Sequence, residues 1–286
     1  MTRLARRLPL AVACSTALAA VVSLSALAAS TPRTAGVRGR SIRSVPTQQT
    51  PNWAGYVVTA NTTAFTSVTA TWRQPAVACT SADPGAAVSF WVGLGGSNPG
   101  VPTLEQTGTA SDCSASGSSS YHAWYEIVPG SPVSAGVKIA PGNTITASVN
   151  IVANGTAAIF QIKNRTTKSS FTTQVALTSP PDLSSADWIV EAPTECAQAV
   201  CLAVPLQWFT PISFSRIAAL GNGIGGTLTH LAWIPDRLEL VPSTVLASSP
   251  SNAGAGAGAV TTGSTPGGGS FQVLWTATPP ALNTAL

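Results

Sequence analysis

The chain has 286 residues, of which 44% are hydrophobic and only 8% are charged, so it is too apolar for a disordered polymer. The scarcity of Lys and Glu also excludes a coiled coil or a helical bundle. Seven of the 14 basic residues precede residue 46, where no acid occurs, so the rest has 7 basic and 10 acidic residues and a net charge of −3. Seven scattered cations form no basic surface for a phosphate backbone, and nucleic-acid binding is therefore not expected.

The first 30 residues have the features of a secretory signal peptide. Three arginines precede a largely apolar stretch, 8–27, and Ala26-Leu27-Ala28 supplies the small residues of a cleavage site. A transmembrane anchor is the alternative, but no stop-transfer pattern follows and no later segment is apolar enough to span a bilayer. We expect a secreted, extracellular, soluble protein without membrane association after cleavage, and we expect a monomer. Residues 31–45 carry four arginines and no acid, which predicts a pro-segment or a flexible leader.

Residues 46–277 are predicted to form one domain of many short strands. The alternating polarity of 144–149 is typical of a half-buried strand, and Asn154-Gly155 between two such segments is a hairpin signal. No segment shows a sustained helical period. The predicted strands are 53–58, 65–73, 88–93, 121–128, 144–152, 157–164, 171–176, 187–191, 213–220 and 270–276. Regular short strands separated by turns predict an all-β sandwich or barrel.

The composition changes near the end of this domain. Residues 249–269 are mostly Ser, Gly, Ala, Thr and Pro, which predicts a flexible insertion or linker. The following strand, 270–276, is expected to return to the sheet. Residues 278–286 are predicted to be a loose tail.

Cysteine usage agrees with export, because one cysteine lies in the signal and four remain in the domain. Four cysteines can pair in three ways. Cys196 and Cys201 enclose only four residues, so a local disulfide is predicted, and Cys79 then pairs with Cys113 by elimination. A zinc site is the alternative, although no Cys-x-x-Cys occurs and neither histidine of the domain lies at the spacing of a zinc finger.

Most familiar catalytic patterns are missing from the sequence. It contains no Gly-x-Ser-x-Gly block, no phosphate-binding or dinucleotide-binding glycine loop, and no Asp-Thr/Ser-Gly loop of an aspartic peptidase. No nucleotide or other cofactor is therefore expected. What remains is a small number of acids in aromatic surroundings.

These acids lie in predicted strands beside tryptophan. Trp124 and Glu126 are two residues apart and so share one face of their strand, since the side chains of a strand alternate. By the same rule Asp187 and Glu191 share a face, opposite to Trp188. Polar groups thus lie next to tryptophan on what could be the floor of a cleft.

Five sequence blocks lead to a known family. They are Asn52-Trp53-Ala54-Gly55-Tyr56, Trp91-Val92-Gly93, Gln106-Thr107-Gly108, Ala123-Trp124-Tyr125-Glu126 and Trp188-Ile189-Val190-Glu191. In order and approximate spacing this set resembles the glutamic peptidases, or eqolisins, of the scytalidoglutamic peptidase type. Any one block is weakly specific, whereas five in order are strongly so. The resemblance covers residues 50–277, most of the domain.

The resemblance implies an antiparallel two-sheet β-sandwich of lectin-like (concanavalin-like jelly roll) form. It also implies an acid endopeptidase without a metal, insensitive to pepstatin, which hydrolyses protein or peptide substrates with a Gln/Glu dyad and an activated water. Gln106 corresponds to the catalytic glutamine and Glu191 to the catalytic glutamate. Trp91, Trp124 and Glu126 correspond to residues that line the substrate cleft. The remaining tryptophans, Trp53, Trp72, Trp188, Trp208, Trp233 and Trp275, are predicted to be core residues.

Two positions depart from the family pattern. Gly95 and His122 stand where members of the family carry Asp, which bears on the pH optimum and the subsite preference but not on the dyad. The rival function is a carbohydrate-binding module or a glycoside hydrolase on a lectin-like sandwich, with Glu126 and Glu191 as its two carboxylates. In the peptidase, Glu191 could begin the reaction either ionised, as a base towards water, or protonated, as an acid towards the carbonyl.

Overall fold

The computed structural model describes residues 45–82, 84–98, 100–197, 200–242 and 256–277, with the backbone alone for the last two residues before and the first two after the gap at 198–199. The predicted signal peptide, most of the predicted leader and the predicted tail lie outside the described residues. Within them the chain is strand, turn and loop, with a single 3-10 turn at Ala153–Gly155. This part of the chain contains no helix long and apolar enough to cross a membrane.

The strands are short and follow one another closely. They are β1 (Thr47–Thr50), β2 (Trp53–Thr59), β3 (Phe65–Arg73), β4 (Ala87–Gly95), β5 (Leu104–Cys113), β6 (Ser119–Val128), β7 (Val133–Ser134), β8 (Thr144–Val152), β9 (Ala157–Asn164), β10 (Ser169–Ala176), β11 (Ser185–Glu191), β12 (Thr194–Ala197), β13 (Val200–Ala203), β14 (Ile212–Gly221), β15 (Ile224–Gly226), β16 (Ile234–Leu240), β17 (Gly258–Thr261) and β18 (Ser270–Thr276). All ten predicted strands are present, and their bounds agree to within two residues.

Hydrogen bonds join most of these strands into one continuous ladder that folds back on itself. Its order is β10-β9-β8-β3-β14-β18-β17-β16-β2-β11-β4-β5-β6-β7, with β1 beside β16 and β15 beside β14. Every pairing in this ladder is antiparallel except that of β1 with β16. We call β16 to β7 in this order the front sheet and β10 to β14 the back sheet. Strand β4 packs on β3 and β8, and β5 packs on β8 and β9, which confirms the predicted antiparallel sandwich.

The space between the two sheets is filled by large apolar side chains. Trp188 of the front sheet is fully buried there, and its indole Nε1 donates to the carbonyl oxygen of Thr69 in the back sheet at 2.9 Å. Trp72 and Trp233 are buried as predicted. Trp208 is 41% exposed, so its prediction as a core residue is wrong. It lies in the segment between β13 and β14 rather than in a strand.

Part of the segment 249–269, which its composition predicts to be a flexible insertion or linker, forms a strand. Residues 258–261 of that segment form β17, which pairs with β16 and β18, and Ala259 is fully buried. Small residues are compatible with this place because neighbouring strands leave little room for side chains. The first residues of the segment, 249–255, lie outside the described residues.

One of the two predicted disulfides is present. Cys79 is bonded to Cys113, at the end of β5. Strands β12 and β13 pair Cys196 directly with Cys201 in their backbone register. The side chains of that second pair lie outside the described residues, and their disulfide stays a prediction.

Candidate functional site

The register of the front sheet brings the five predicted site residues onto one face. Gln106 of β5 is paired with Glu126 of β6 on one side and with Gly93 of β4 on the other. In the same sheet Glu191 of β11 is paired with Ser89 of β4. Residues that are paired or two apart point to the same side. The face that carries Trp91, Gln106, Trp124, Glu126 and Glu191 is the outer face of the front sheet, away from the main core, and we call it the site face.

The floor of the site face is apolar. Trp91 and Trp124 pack there in a buried cluster with Leu104 and Ile189. Trp53, predicted to lie in the core, instead joins this cluster and meets Trp91 edge to face, with ring centroids 5.1 Å apart. Polar groups on this floor are therefore partly withdrawn from water.

Neutral donors hold the carboxyl group of Glu191. The Asn52 Nδ2 donates to Oε1 at 3.1 Å, and the indole Nε1 of Trp91 donates to Oε2 at 2.8 Å. The pKa of Glu191 is raised to about 7, mainly by burial and to a smaller extent by the charge of Glu126. The donors Trp53, Trp91 and Asn52 act against that increase, because each favours the ionised carboxylate.

Gln106 is bound by its neighbour in β6. The Gln106 Nε2 donates to Glu126 Oε2 at 2.7 Å, and the side chain is only 5% exposed. Because a carboxylate oxygen can only accept, this bond fixes which end of the amide faces Glu126. The Oε1 of Gln106 has no hydrogen-bond partner within the described part of the chain. Burial raises the pKa of Glu126, and the bond from Gln106 opposes that shift.

The indole ring of Trp91 lies between Glu191 and Gln106. Its Nε1 is bonded to Glu191, whereas its Cζ3 would lie 2.9 Å from a Cβ added to Gly93. The same added atom would lie 3.3 Å from the Cβ of Gln106. A side chain at Gly93 would therefore collide with the ring that links the two residues.

A second glycine is required on the neighbouring strand. Gly108 is paired with Trp91, and a Cβ added to Gly108 would lie 2.2 Å from the carbonyl oxygen of Phe90 and 2.6 Å from the Cβ of Trp91. Neither distance is compatible with a side chain. The glycine of the Gln-Thr-Gly block thus allows β5 to approach β4 closely beneath Trp91.

The structure explains one departure from the family pattern. Gly95 has φ +87°, and a Cβ there would lie 2.6 Å from the carbonyl oxygen of Asp182 and 2.7 Å from its Cβ. Asp182 thus occupies the space beside Gly95. Its Oδ2 accepts from the backbone N–H groups of Gly96 at 3.0 Å and Asn98 at 3.3 Å, so it holds the loop between β4 and β5. Where the family pattern has an Asp, this chain has Gly95, and the carboxyl of Asp182, from the segment before β11, binds the adjoining loop.

The second departure, His122, lies at the rim of the site face. Its Nδ1 is 3.1 Å from Oδ2 of Asp112, and the two side chains are 46% and 49% exposed. His122 shares the face of Trp124 and Glu126 but is bonded to neither Gln106 nor Glu191 among the described hydrogen bonds.

Three residues in or beside the strands that carry the site have no role in the sequence analysis, and one of them, Glu105, points to the opposite face from Gln106. Asn52 belongs to the first of the five sequence blocks, but nothing in the sequence indicates its contact with Glu191. Glu105 is 1% exposed, both its carboxyl oxygens lack a described partner, and burial raises its pKa to about 7. Asp187 is fully buried, and burial raises its pKa well above the usual value. An acid within an otherwise buried strand is the only signal that could have indicated the last two.

No group of three or more His, Cys, Asp or Glu side chains is arranged to hold a metal ion among the described residues. The carboxyls of Glu126 and Glu191 are bound by amide and indole donors.

Comparison with known proteins gives a family and a fold. The model of the peptidase A4 family matches residues 51–280. The chain is similar to scytalidoglutamic peptidase bound to a peptide-based transition-state analogue, with 22% identity, TM-score 0.62, and coverage of 79% of this chain and 98% of that one. It is similar to SCP-B, an eqolisin bound to the tripeptide Ala-Ile-His, with 20% identity, TM-score 0.60 and coverage of 79% and 98%.

A further similarity is to aspergilloglutamic peptidase from Aspergillus niger, with 23% identity, TM-score 0.51, and coverage of 67% of this chain and 99% of that one. At these identities the solved structures bear on the fold, and the family model bears on the family. No curated protein sequence matches the chain.

Proposed function

The chain belongs to the peptidase A4 family, the glutamic peptidases, and from that membership we propose that it is a secreted acid endopeptidase in which Gln106 and Glu191 act together on one water molecule. Membership of a peptidase family implies proteins or peptides as substrates. The observation that carries the proposal is the environment of Glu191. Its carboxyl lies on an apolar floor, is held by neutral donors, and has a pKa raised to about 7.

Glu191 supplies the proton transfers of the reaction. At acidic pH a carboxyl with a pKa near 7 is protonated, which favours the assignment in which Glu191 begins as an acid. It gives its proton to the scissile carbonyl oxygen and takes one from the attacking water, so that a tetrahedral gem-diol forms. It then gives that proton to the amide nitrogen as the C–N bond breaks, and recovers a proton from the gem-diol as the new carboxyl group forms.

Gln106 positions the water and stabilises the developing charge. Its Nε2 is turned towards Glu126, and its Oε1 is buried without a described hydrogen-bond partner. The Oε1 can accept a hydrogen bond from water, and the second N–H of Nε2 can donate to the oxygen of the tetrahedral intermediate. A single donor of this kind is worth about 3–4 kcal/mol in the reaction rate. Glu126 is the link between the two residues, because it binds Gln106 and also raises the pKa of Glu191.

The proposed substrate cleft is the site face. Trp91 and Trp124 supply an apolar floor that is compatible with side chains of an extended peptide, and Glu126 lies beside them. Pepstatin is expected not to inhibit, because the proposed mechanism uses a Gln and a Glu rather than a pair of aspartates. Chelators are expected to have no effect, because no step of the proposed mechanism uses a metal.

Cleavage of an acid-unfolded protein, with pepstatin and EDTA present, tests the proposal. We expect cleavage by the secreted chain and loss of nearly all of it in both Glu191→Gln and Gln106→Ala. Glu195→Gln, which changes an exposed acid, is the matched control and should retain activity. Cleavage that survives in Glu191→Gln would remove this residue from the mechanism. Hydrolysis of glycans that survives Gln106→Ala would instead favour a glycoside hydrolase with Glu126 and Glu191.

A further inference from the structure

Asn52 lies beside Glu191 because of the way β2 begins. Glu191 is paired with Trp53, the first residue of β2, and Asn52 directly precedes it. The ladder continues one step past both strands, since the backbone N–H of Ala192 donates to the carbonyl oxygen of Asn52 at 2.9 Å. The backbone of Asn52 is therefore fixed next to the residue that its side chain contacts.

The side chain of Asn52 reaches one oxygen of the Glu191 carboxyl only. Its Nδ2 donates to Oε1 at 3.1 Å and approaches the Oγ1 of Thr194 at 3.4 Å. Trp91 binds Oε2, the other oxygen. Asn52 and Trp91 bind opposite oxygens and so fix the plane of the carboxyl, because rotation of the group would break both bonds.

The electrostatic surroundings of Glu191 are simple. The charged group that acts on it is Glu126 on β6, and the groups that bind it, Asn52, Trp53 and Trp91, are neutral. Among these donors Asn52 stands outside the buried cluster of the site face. Its replacement should therefore leave the apolar floor in place.

On the premise of the proposed function, we propose that Asn52 is a positioning residue, which holds the Glu191 carboxyl in the plane required for proton transfer and limits how strongly it retains its proton. Asn52 touches neither substrate nor water in this role and acts through Glu191. The role depends on the N–H donor and not on the volume of the side chain, which makes isosteric variants informative.

Two variants of nearly the same size test this proposal. Asn52→Leu removes the donor, and Asn52→Asp replaces it with an acceptor that becomes a like charge when ionised. We expect kcat to fall roughly tenfold to a hundredfold in Asn52→Leu, the range that a hydrogen bond to a charged group is worth, with KM nearly unchanged. The pH above which activity declines should move up in Asn52→Leu and further up in Asn52→Asp. Asn61→Leu, in the exposed loop after β2, is the control and should behave as the wild type.

A second measurement does not depend on activity. The indole ¹H–¹⁵N resonance of Trp91 reports the ionisation of Glu191, because its Nε1 is bonded to that carboxyl. Its titration midpoint should rise in Asn52→Leu and rise more in Asn52→Asp. An unchanged midpoint together with unchanged kcat in both folded variants would overturn the role of Asn52. If the wild type cleaves no peptide at any pH, the proposed function fails, while this titration still decides whether Asn52 controls Glu191.

Discussion

Gln106 Nε2 donates to Glu126 Oε2 at 2.7 Å across the β5–β6 ladder, and this bond sets the orientation of an amide whose own Oε1 has no described partner. An amide of this kind can rotate by half a turn with little change in shape, which would exchange its donor and acceptor ends. Glu126 prevents that exchange. It therefore controls which end of Gln106 faces the proposed water.

Replacement of Glu126 by Gln is expected to lower kcat by about tenfold or more, because the Gln106 amide is then bound by a group that can either donate or accept. The same change should lower the pKa of Glu191, since the charge of Glu126 raises it. The pH above which activity declines should then move down. A pH series of kcat and of kcat/KM measures both effects, and an unchanged profile would argue against the link through Glu126.

The activity of the wild type is expected to decline as the pH rises through about 7. Burial raises the pKa of Glu191 to that value, and the proposed mechanism begins with the protonated group. Measurement of kcat/KM between pH 3 and 8 (about the range where the protein is expected to stay folded) checks this. An increase of the rate up to pH 7 would instead assign Glu191 as an ionised base.

Trp91→Phe is expected to reduce kcat about tenfold or more while the ring remains in the floor of the site face. The substitution removes the indole N–H that donates to Glu191 Oε2, so the pKa of Glu191 should also rise. Trp188→Phe provides a contrast. It removes an indole N–H bonded to Thr69 in the core, so it should reduce the free energy of unfolding without moving the pH profile.

Stability should decrease between acidic and neutral pH, in part because of Glu105. In the unfolded chain this carboxyl ionises near its ordinary pKa, whereas burial raises its folded pKa to about 7. Between these values the unfolded state binds fewer protons, so the free energy of unfolding falls as the pH rises, by up to about 3 kcal/mol. Above pH 7 the loss is complete and constant. Glu105→Gln should remove this part of the decrease, as judged by urea unfolding at pH 4 and pH 7.5.

The control for Glu105→Gln removes an acid that is exposed rather than buried. Glu195→Gln substitutes an exposed residue and should leave the pH dependence as in the wild type. Equal slopes for wild type and Glu105→Gln would contradict the assignment of the loss to Glu105. The buried carboxyl of Asp187 contributes with the same sign, since burial raises its pKa too.

Gly95→Asp, which would restore the family residue, is expected to destabilise the fold by several kcal/mol. Its φ of +87° is unfavourable for an L side chain, and the new Cβ would lie 2.6 Å from the carbonyl oxygen of Asp182. Gly85→Ala is the matched control, because Gly85 has φ +76° but no atom within 4 Å of an added Cβ. Thermal unfolding should show a small loss for Gly85→Ala and a much larger loss for Gly95→Asp. Similar losses would contradict the steric argument.

Alternation of polarity predicts most of the strands because it records which side of a strand is buried. In β8, Ile145, Ala147 and Val149 are buried and the residues between them are more exposed, as the pattern indicates. Strand β5 is not predicted, because Thr107 and Thr109 look like surface residues. Both are fully buried, and their hydroxyls donate to the backbone of Trp124 and to the side chain of Gln74, at 2.7 Å each.

The candidate site is predicted only in part for the same reason. The family resemblance supplies Gln106 and Glu191, and the alternation supplies a common face for neighbouring residues of one strand. Contacts such as that between Asn52 and Glu191 depend on the register of strands 139 residues apart in sequence. No local pattern encodes that register. The space taken by Asp182 beside Gly95 is set in the same way, by segments that meet only in the folded chain.

Gly108 is constrained by the close packing of β5 on β4, whereas Gln106 and Glu191 are constrained by the proposed reaction. A descendant that lost hydrolysis would still be selected to keep this glycine, since a methyl group there would push the two strands apart. Gln106 and Glu191 would no longer be constrained by the reaction and could be replaced. A relative that retains Gly108 but has replaced Gln106 or Glu191 would therefore be expected to keep the fold and to lack the proposed peptidase activity.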